Sequence, residues 1–145
     1  MKKSHKTQLF IILIGGVCLL FFKISIFKTT EIEAQYQLKT IVKEINRKCP
    51  TTIDEGLKLD SASTSYDTLH YYLTFPFLKL DPVFNDERKS RIELNAVRFL
   101  KQRANMKYFR EEETPLVYHY FDMYKEEMFK IGIQYQEDGR VKKLF

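Results

Sequence analysis

One run limits everything attached to it: Leu9-Phe-Ile-Ile-Leu-Ile-Gly-Gly-Val-Cys-Leu-Leu-Phe-Phe-Lys-Ile-Ser-Ile-Phe27. Its first fourteen residues carry no charge, and with Lys23 and Ser25 tolerated it reaches nineteen. Wound as a helix it is roughly 28 Å long, close to the ~30 Å of bilayer hydrocarbon. The sequence therefore predicts an N-terminal transmembrane helix over 9–27, bounded by Leu9 and Phe27. A basic segment, 1–8, precedes it and a single domain, 28–145, follows. Lys2, Lys3 and Lys6 before an apolar run also open a secretory signal, but no small-residue cleavage site follows Phe22. Gly16-Val17 likewise makes Cys18 a poor lipidation site. The basic bias before the span places the N-terminus in the cytoplasm. The expected location is the cytoplasmic membrane, single-pass, as a signal-anchor, with the C-terminal domain extracytoplasmic in a bacterial envelope.

Charge must be read with the anchor set aside. Five of the 24 Lys and Arg, namely Lys2, Lys3, Lys6, Lys23 and Lys28, precede residue 29. The remainder balances 19 basic against 19 acidic residues, so the net charge of +5 belongs to the N-terminus. Nucleic acid is not an expected partner. Cys18 and Cys49 are the two cysteines. One lies in the predicted span, so the domain is no disulfide scaffold and depends on an apolar core.

Ala34, Leu38, Ile41, Val42 and Ile45 recur at helical spacing, and Pro50 stops that helix. Cys49 to Gly56 reads as a turn-rich link. Leu57-Lys-Leu59 opens a strand, and Asp60 to Ser65 reads as a polar loop. Leu69, Tyr71, Leu73, Phe75 and Phe77 alternate with polar partners, the clearest strand of the chain. A second helix carries Ile92, Ala96, Phe99 and Leu100 on one face. Asn105 to Glu113 reads as a charged link. Leu116–Phe121 and Phe129–Tyr135 are further strands, and 140–145 a tail. The expected fold is α+β: after the transmembrane helix, helix-strand-strand-helix-strand-strand, forming a four-stranded antiparallel sheet with both helices on one face. The other face holds His70, Tyr72 and Thr74, plus either Tyr118 and Tyr120 or Val117 and His119. Both phases of that strand are aromatic, so the pattern does not choose.

His70 and His119 fall in strands, with Asp122 close in sequence to the second. They are the candidates for acid–base work in an enzyme. The spacing matches no zinc signature, and neither a metal nor a cofactor is expected. Cys49 follows a helix C-terminus, whose negative dipole end disfavours thiolate. The basic residues Arg88, Lys89, Arg91, Arg98, Lys101 and Arg103 suit a solvated helix face better than an anionic surface. Nine Tyr and twelve Phe with no Trp are the stronger signal. They suit a sheet core, or an exposed Tyr-lined face for protein contact.

Asn46-Arg-Lys-Cys-Pro-Thr-Thr-Ile-Asp54, Tyr71-Tyr-Leu-Thr74 and Tyr118-His-Tyr-Phe-Asp122 together resemble small uncharacterised bacterial membrane-anchored envelope proteins. In these a helix ends in an Asn-x-x-Cys-Pro element before paired strands. The resemblance implies no activity. The leading expectation is a membrane-tethered interaction module binding another protein or itself, without catalysis, through Tyr72, Tyr118, Tyr120, His70 and His119. The alternatives are a ligand- or lipid-binding domain with an aromatic pocket, for a small molecule left unspecified, and an enzyme using His70 and His119.

Overall fold

Asn46, in the last turn of a helix, reaches across to a strand of the sheet and hydrogen-bonds Ala62. The computed structural model describes residues 31–54, 56–78 and 86–145. The chain divides into two compact units, Met1–Gln37 and Leu38–Phe145. Of the first, 31–37 are described, and Ile32 and Tyr36 are exposed there.

Helix α1 occupies 31–48, with Leu38, Ile41, Val42 and Ile45 packed on the core as their spacing predicts. It is followed by β1 (Thr51–Asp54), β2 (Leu57–Ser65) and β3 (Thr68–Thr74). Helix α2 (Asp86–Gln102), a 3-10 turn (Ala104–Met106) and the short α3 (Lys107–Glu111) come next. The chain closes with β4 (Leu116–Phe121), β5 (Glu127–Tyr135) and β6 (Val141–Lys143). The six strands form one sheet in sequence order. All neighbours are antiparallel except β3 and β4, which run parallel.

The expected four-stranded antiparallel sheet is therefore corrected to a six-stranded mixed one with three described helices. Parallel neighbours need a long crossover connection, and the α2–α3 segment between β3 and β4 supplies it. The edge strands β1 and β6, of four and three residues, are too short to show an alternation. The stretch read as a polar loop, Asp60–Ser65, continues β2. The expected link at Asn105–Glu113 holds α3. Arg110 anchors it by donating to the carbonyls of Leu100 (2.7 Å), in the last turn of α2, and of Arg103 (2.8 Å), just past its end.

The transmembrane helix expected at Leu9–Phe27 and the basic segment 1–8 lie outside the described residues. Among the described residues no helix is long and apolar enough to cross a membrane. The fold class is corrected accordingly, because the helix observed at 31–48 spends its apolar stripe on the sheet.

One face of the sheet carries the core. Leu69, Tyr71 and Leu73 stand level with Leu116, Tyr118 and Tyr120 on β4, and these with Ile133, Ile131 and Phe129 on β5. Ala96, Leu100, Met106 and Phe109 join them from the helical segments. Rings fill this layer: Tyr71 stacks on Tyr118 at 5.2 Å, and Tyr120 on Phe129 at 4.7 Å.

Candidate functional site, the sheet face opposite the described helices

The opposite face is built by the alternate residues of the same strands. His70 and Tyr72 of β3 stand beside Val117 and His119 of β4, with Phe121 opposite Thr74. Ser63 and Ser61 flank them on β2, and Gly132 and Lys130 on β5. None of these residues belongs to the core cluster under the helices. The phase left undecided by sequence is settled here: Val117 and His119 share the face with His70 and Tyr72. Tyr118 and Tyr120 point to the helix side. Burial pushes the Tyr71 hydroxyl up to about 12, and burial, then the neighbouring Tyr71 and Tyr120, raise the Tyr118 hydroxyl well above its usual range.

Two β-bulges add carboxylates to this face. On β5, Phe129 pairs with Tyr120 but Glu127 with Phe121, so one extra residue is inserted between them. Without it Glu127 would be in phase with Phe129 and Ile131 and would face the core. On β2 the register shifts between Leu59 and Ser61, which turns out Asp60. Asp60 accepts from Lys125 (2.6 Å) and from the buried Thr74 hydroxyl (2.5 Å). Lys125 also donates to Thr74 at 2.8 Å. Burial alone would raise the Asp60 carboxyl. The bonds from Lys125 and Thr74, with the charges of Lys125 and Lys58, outweigh it and hold the group below the usual carboxylate range.

The centre of the face is a pair of imidazoles. His70 Nδ1 lies 3.0 Å from His119 Nε2, and their centroids are 5.3 Å apart. The difference is about two ring radii, so the rings meet head-on across one N–H···N bond. His119 Nδ1 faces Glu127 Oε1 at 3.6 Å. Tyr72 stacks on His119 at 5.0 Å and shares a 3.0 Å hydrogen bond with Ser63. Burial, then the neighbouring His119, holds His70 below the usual histidine range. The head-on approach aims the ring nitrogens at each other rather than at a common third point. Among the described residues no group of three or more His, Cys, Asp or Glu is placed to hold a metal ion.

Asp122 does not complete this pair as expected. It is buried and its Oδ1 accepts from the backbone of Tyr124 (2.8 Å) and Glu126 (3.0 Å), shaping the β4–β5 hairpin. Glu127 takes the place beside His119. Sequence reasoning missed Glu127 because its phase matches the core residues of its own strand. Burial and the Asp60 carboxylate raise the Cys49 thiol. An open cleft of about 400 Å³ is lined by Glu113, Gln136, Glu137 and Asp138, a polar rather than an aromatic lining.

The fold and face define a class: a mixed β-sheet domain with helices on one face and, among the described residues, none on the other, where the C-terminal Leu144 and Phe145 lie against Gly132. A crystal structure from Pseudomonas aeruginosa, described as that of "a putative secreted protein", shares this fold with a TM-score of 0.58 at 11% identity, over 69% of this chain and 88% of that one. The chain belongs to the family described as Domain of unknown function (DUF8479), which matches residues 32–131 and so spans α1 to mid-β5, the imidazole pair and Glu127 included. No curated protein matches the chain. The expectation of a single-pass, signal-anchored protein of the cytoplasmic membrane is corrected rather than carried forward. No described helix has the required length and apolarity, and the structural neighbour is described as secreted.

Proposed function

We propose that this domain is a protein-interaction module acting outside the cytoplasm, with the sheet face opposite its described helices as the docking surface. The observation that carries the reading is the make-up of that face. Where a solvated sheet face is ordinarily lined with charged and small polar residues, this one centres on Tyr72, His70, His119 and Phe121, half-buried and mutually packed. Pre-packed aromatic and imidazole rings lose little side-chain entropy on docking, which is why such residues dominate contact energetics. Asp60, Lys125, Glu127 and Lys130 form a charged rim. The description of the structural neighbour as secreted supports the location.

A photo-crosslinking side chain at Lys130, on this face, tests the reading against one at Leu94, exposed on α2. The expected result is one discrete adduct from position 130, none from 94, and loss of the adduct when Tyr72 and Phe121 are changed to Ser. Equal labelling from both positions, or none from 130, overturns it.

A further inference from the structure

The two facing imidazoles have a property that a hydrogen bond alone does not require. The 5.3 Å between their centroids exceeds the 3.0 Å between His70 Nδ1 and His119 Nε2 by about two ring radii, so both centroids and both nitrogens lie near one line. An imidazole lone pair points outward from the ring centre through its nitrogen. The two nitrogens therefore aim along the same line, and an ion set between them receives both lone pairs in line. Glu127 Oε1, 3.6 Å from His119 Nδ1, favours a proton on that nitrogen and leaves the lone pair on Nε2. Burial, then the neighbouring His119, favours the neutral form of His70 that a metal needs. Tyr72 stacks on His119 at 5.0 Å and lies 6.4 Å from Phe121, an aromatic flank that limits water as a further ligand. Lys130 is level with His119 on β5, but its ammonium sits over the Phe145 ring, 5.1 Å from the centroid.

We propose that His70 Nδ1 and His119 Nε2 form a linear, two-coordinate site for a monovalent copper ion, Cu(I). The ion takes the place of the proton that the two nitrogens share. That proton moves to His70 Nε2, so both rings stay neutral and none is released. Metal–imidazole bonds of about 2 Å set in line place the nitrogens about 4 Å apart, so each ring retreats by about half an ångström. A small χ1 rotation within one rotamer well supplies that. Imidazole suits copper, and a closed-shell ion of single charge accepts two ligands in line. Zn(II) takes four ligands at tetrahedral angles. Among the described residues no group of three or more His, Cys, Asp or Glu is placed to supply them. The site does not depend on the docking reading, because the ion lies between the two rings, within the side-chain layer of the sheet.

Silver(I) is the first probe, because it shares the preference for two ligands in line, does not change oxidation state and has a nuclear spin. One equivalent is added to the full chain carrying Cys18→Ser and Cys49→Ser, which removes the competing thiols. The expected result is splitting of the His70 Nδ1 and His119 Nε2 ¹⁵N resonances by one silver nucleus, with the other ring nitrogens unsplit. Coupling at neither nitrogen, or at one of them only, overturns the site. The second measurement sets the same chain against a Cu(I) chelator, without oxygen and at neutral pH. One Cu(I) per chain is expected, bound more weakly by over about tenfold in His119→Asn. Zn(II) is expected to bind more weakly than Cu(I). Zn(II) binding that matches Cu(I), or a His119→Asn chain that holds Cu(I) as tightly as its parent, overturns the site. Neither readout involves the adduct from position 130, so the metal site and the docking reading fail separately.

Discussion

The side chain of Asn46 replaces a missing strand beside Ala62. Ala62 N–H donates to Asn46 Oδ1 at 2.7 Å, and Asn46 Nδ2 donates to Ala62 O at 2.9 Å. Strand β1 pairs with β2 only from Leu57 to Leu59, so the outward backbone groups of Ala62 have no strand opposite them. One carboxamide offers a donor and an acceptor at the spacing a strand would. This gives the Asn-x-x-Cys-Pro element its structural meaning: its first residue ties α1 to the sheet. Asn46→Ala is expected to cost about 2 kcal/mol, read as a lower urea midpoint. Asn46→Asp keeps the acceptor but sets an oxygen against the Ala62 carbonyl. It is expected to regain stability only as its carboxyl takes a proton near about pH 4.

Acid is expected to weaken the fold through His70. Its folded-state value is lowered from 6.5, so the unfolded chain takes up the proton first. Stability from this group is complete above about pH 6.5, declines as pH falls through that value toward the folded one, and is flat below both. Urea midpoints at pH 8, 6 and 5 should trace this slope, and His70→Gln should flatten it.

Asp60 follows the same sign at lower pH. Its carboxyl is lowered from 3.8, so its contribution is full above the unfolded value and is lost as pH falls through the folded one. Lys125→Met removes a donor to both Asp60 and Thr74. It is expected to move the Asp60 carboxyl ¹³C titration upward and to cost about 1 kcal/mol at neutral pH.

Gly132 allows the C-terminal residues to lie against β5. A Cβ there would meet Phe145 Cζ at 2.7 Å and Leu144 Cβ at 2.9 Å. The Phe145 ring can swing away, but Leu144 Cβ is held by its backbone, whose N–H donates to Gly132 O at 2.9 Å. Gly132→Ala is expected to cost about 1–3 kcal/mol. Phe145→Ala should relieve only part of that, a non-additivity that a double-mutant cycle in urea would measure.

Part of this architecture is legible in the residues. The stripe of Leu38, Ile41, Val42 and Ile45 marks the core face of α1, and Leu69, Tyr71 and Leu73 mark that of β3. Strand β4 is not legible in the same way. Leu116, Tyr118 and Tyr120 alternate with Val117, His119 and Phe121, and each set is apolar enough to be buried. Glu127 and Asp60 mislead for another reason. A bulge shifts phase by one residue, and nothing in the local pattern marks which residue is extra. The parallel pairing of β3 and β4 is not legible either, because a helix between two strands is compatible with both parallel and antiparallel neighbours.

By itself the amino-acid order determined the strong periodicities, the charge balance beyond residue 28, and which residues carry titratable rings, because these are properties of neighbours along the chain. Only tertiary structure decided that His70 and His119 meet, that Glu127 rather than Asp122 stands beside them, and that Tyr118 and Tyr120 turn inward. Those outcomes depend on strand register and on bulges, which are set by packing between segments 49 residues apart in the case of the histidines, and no local pattern encodes them.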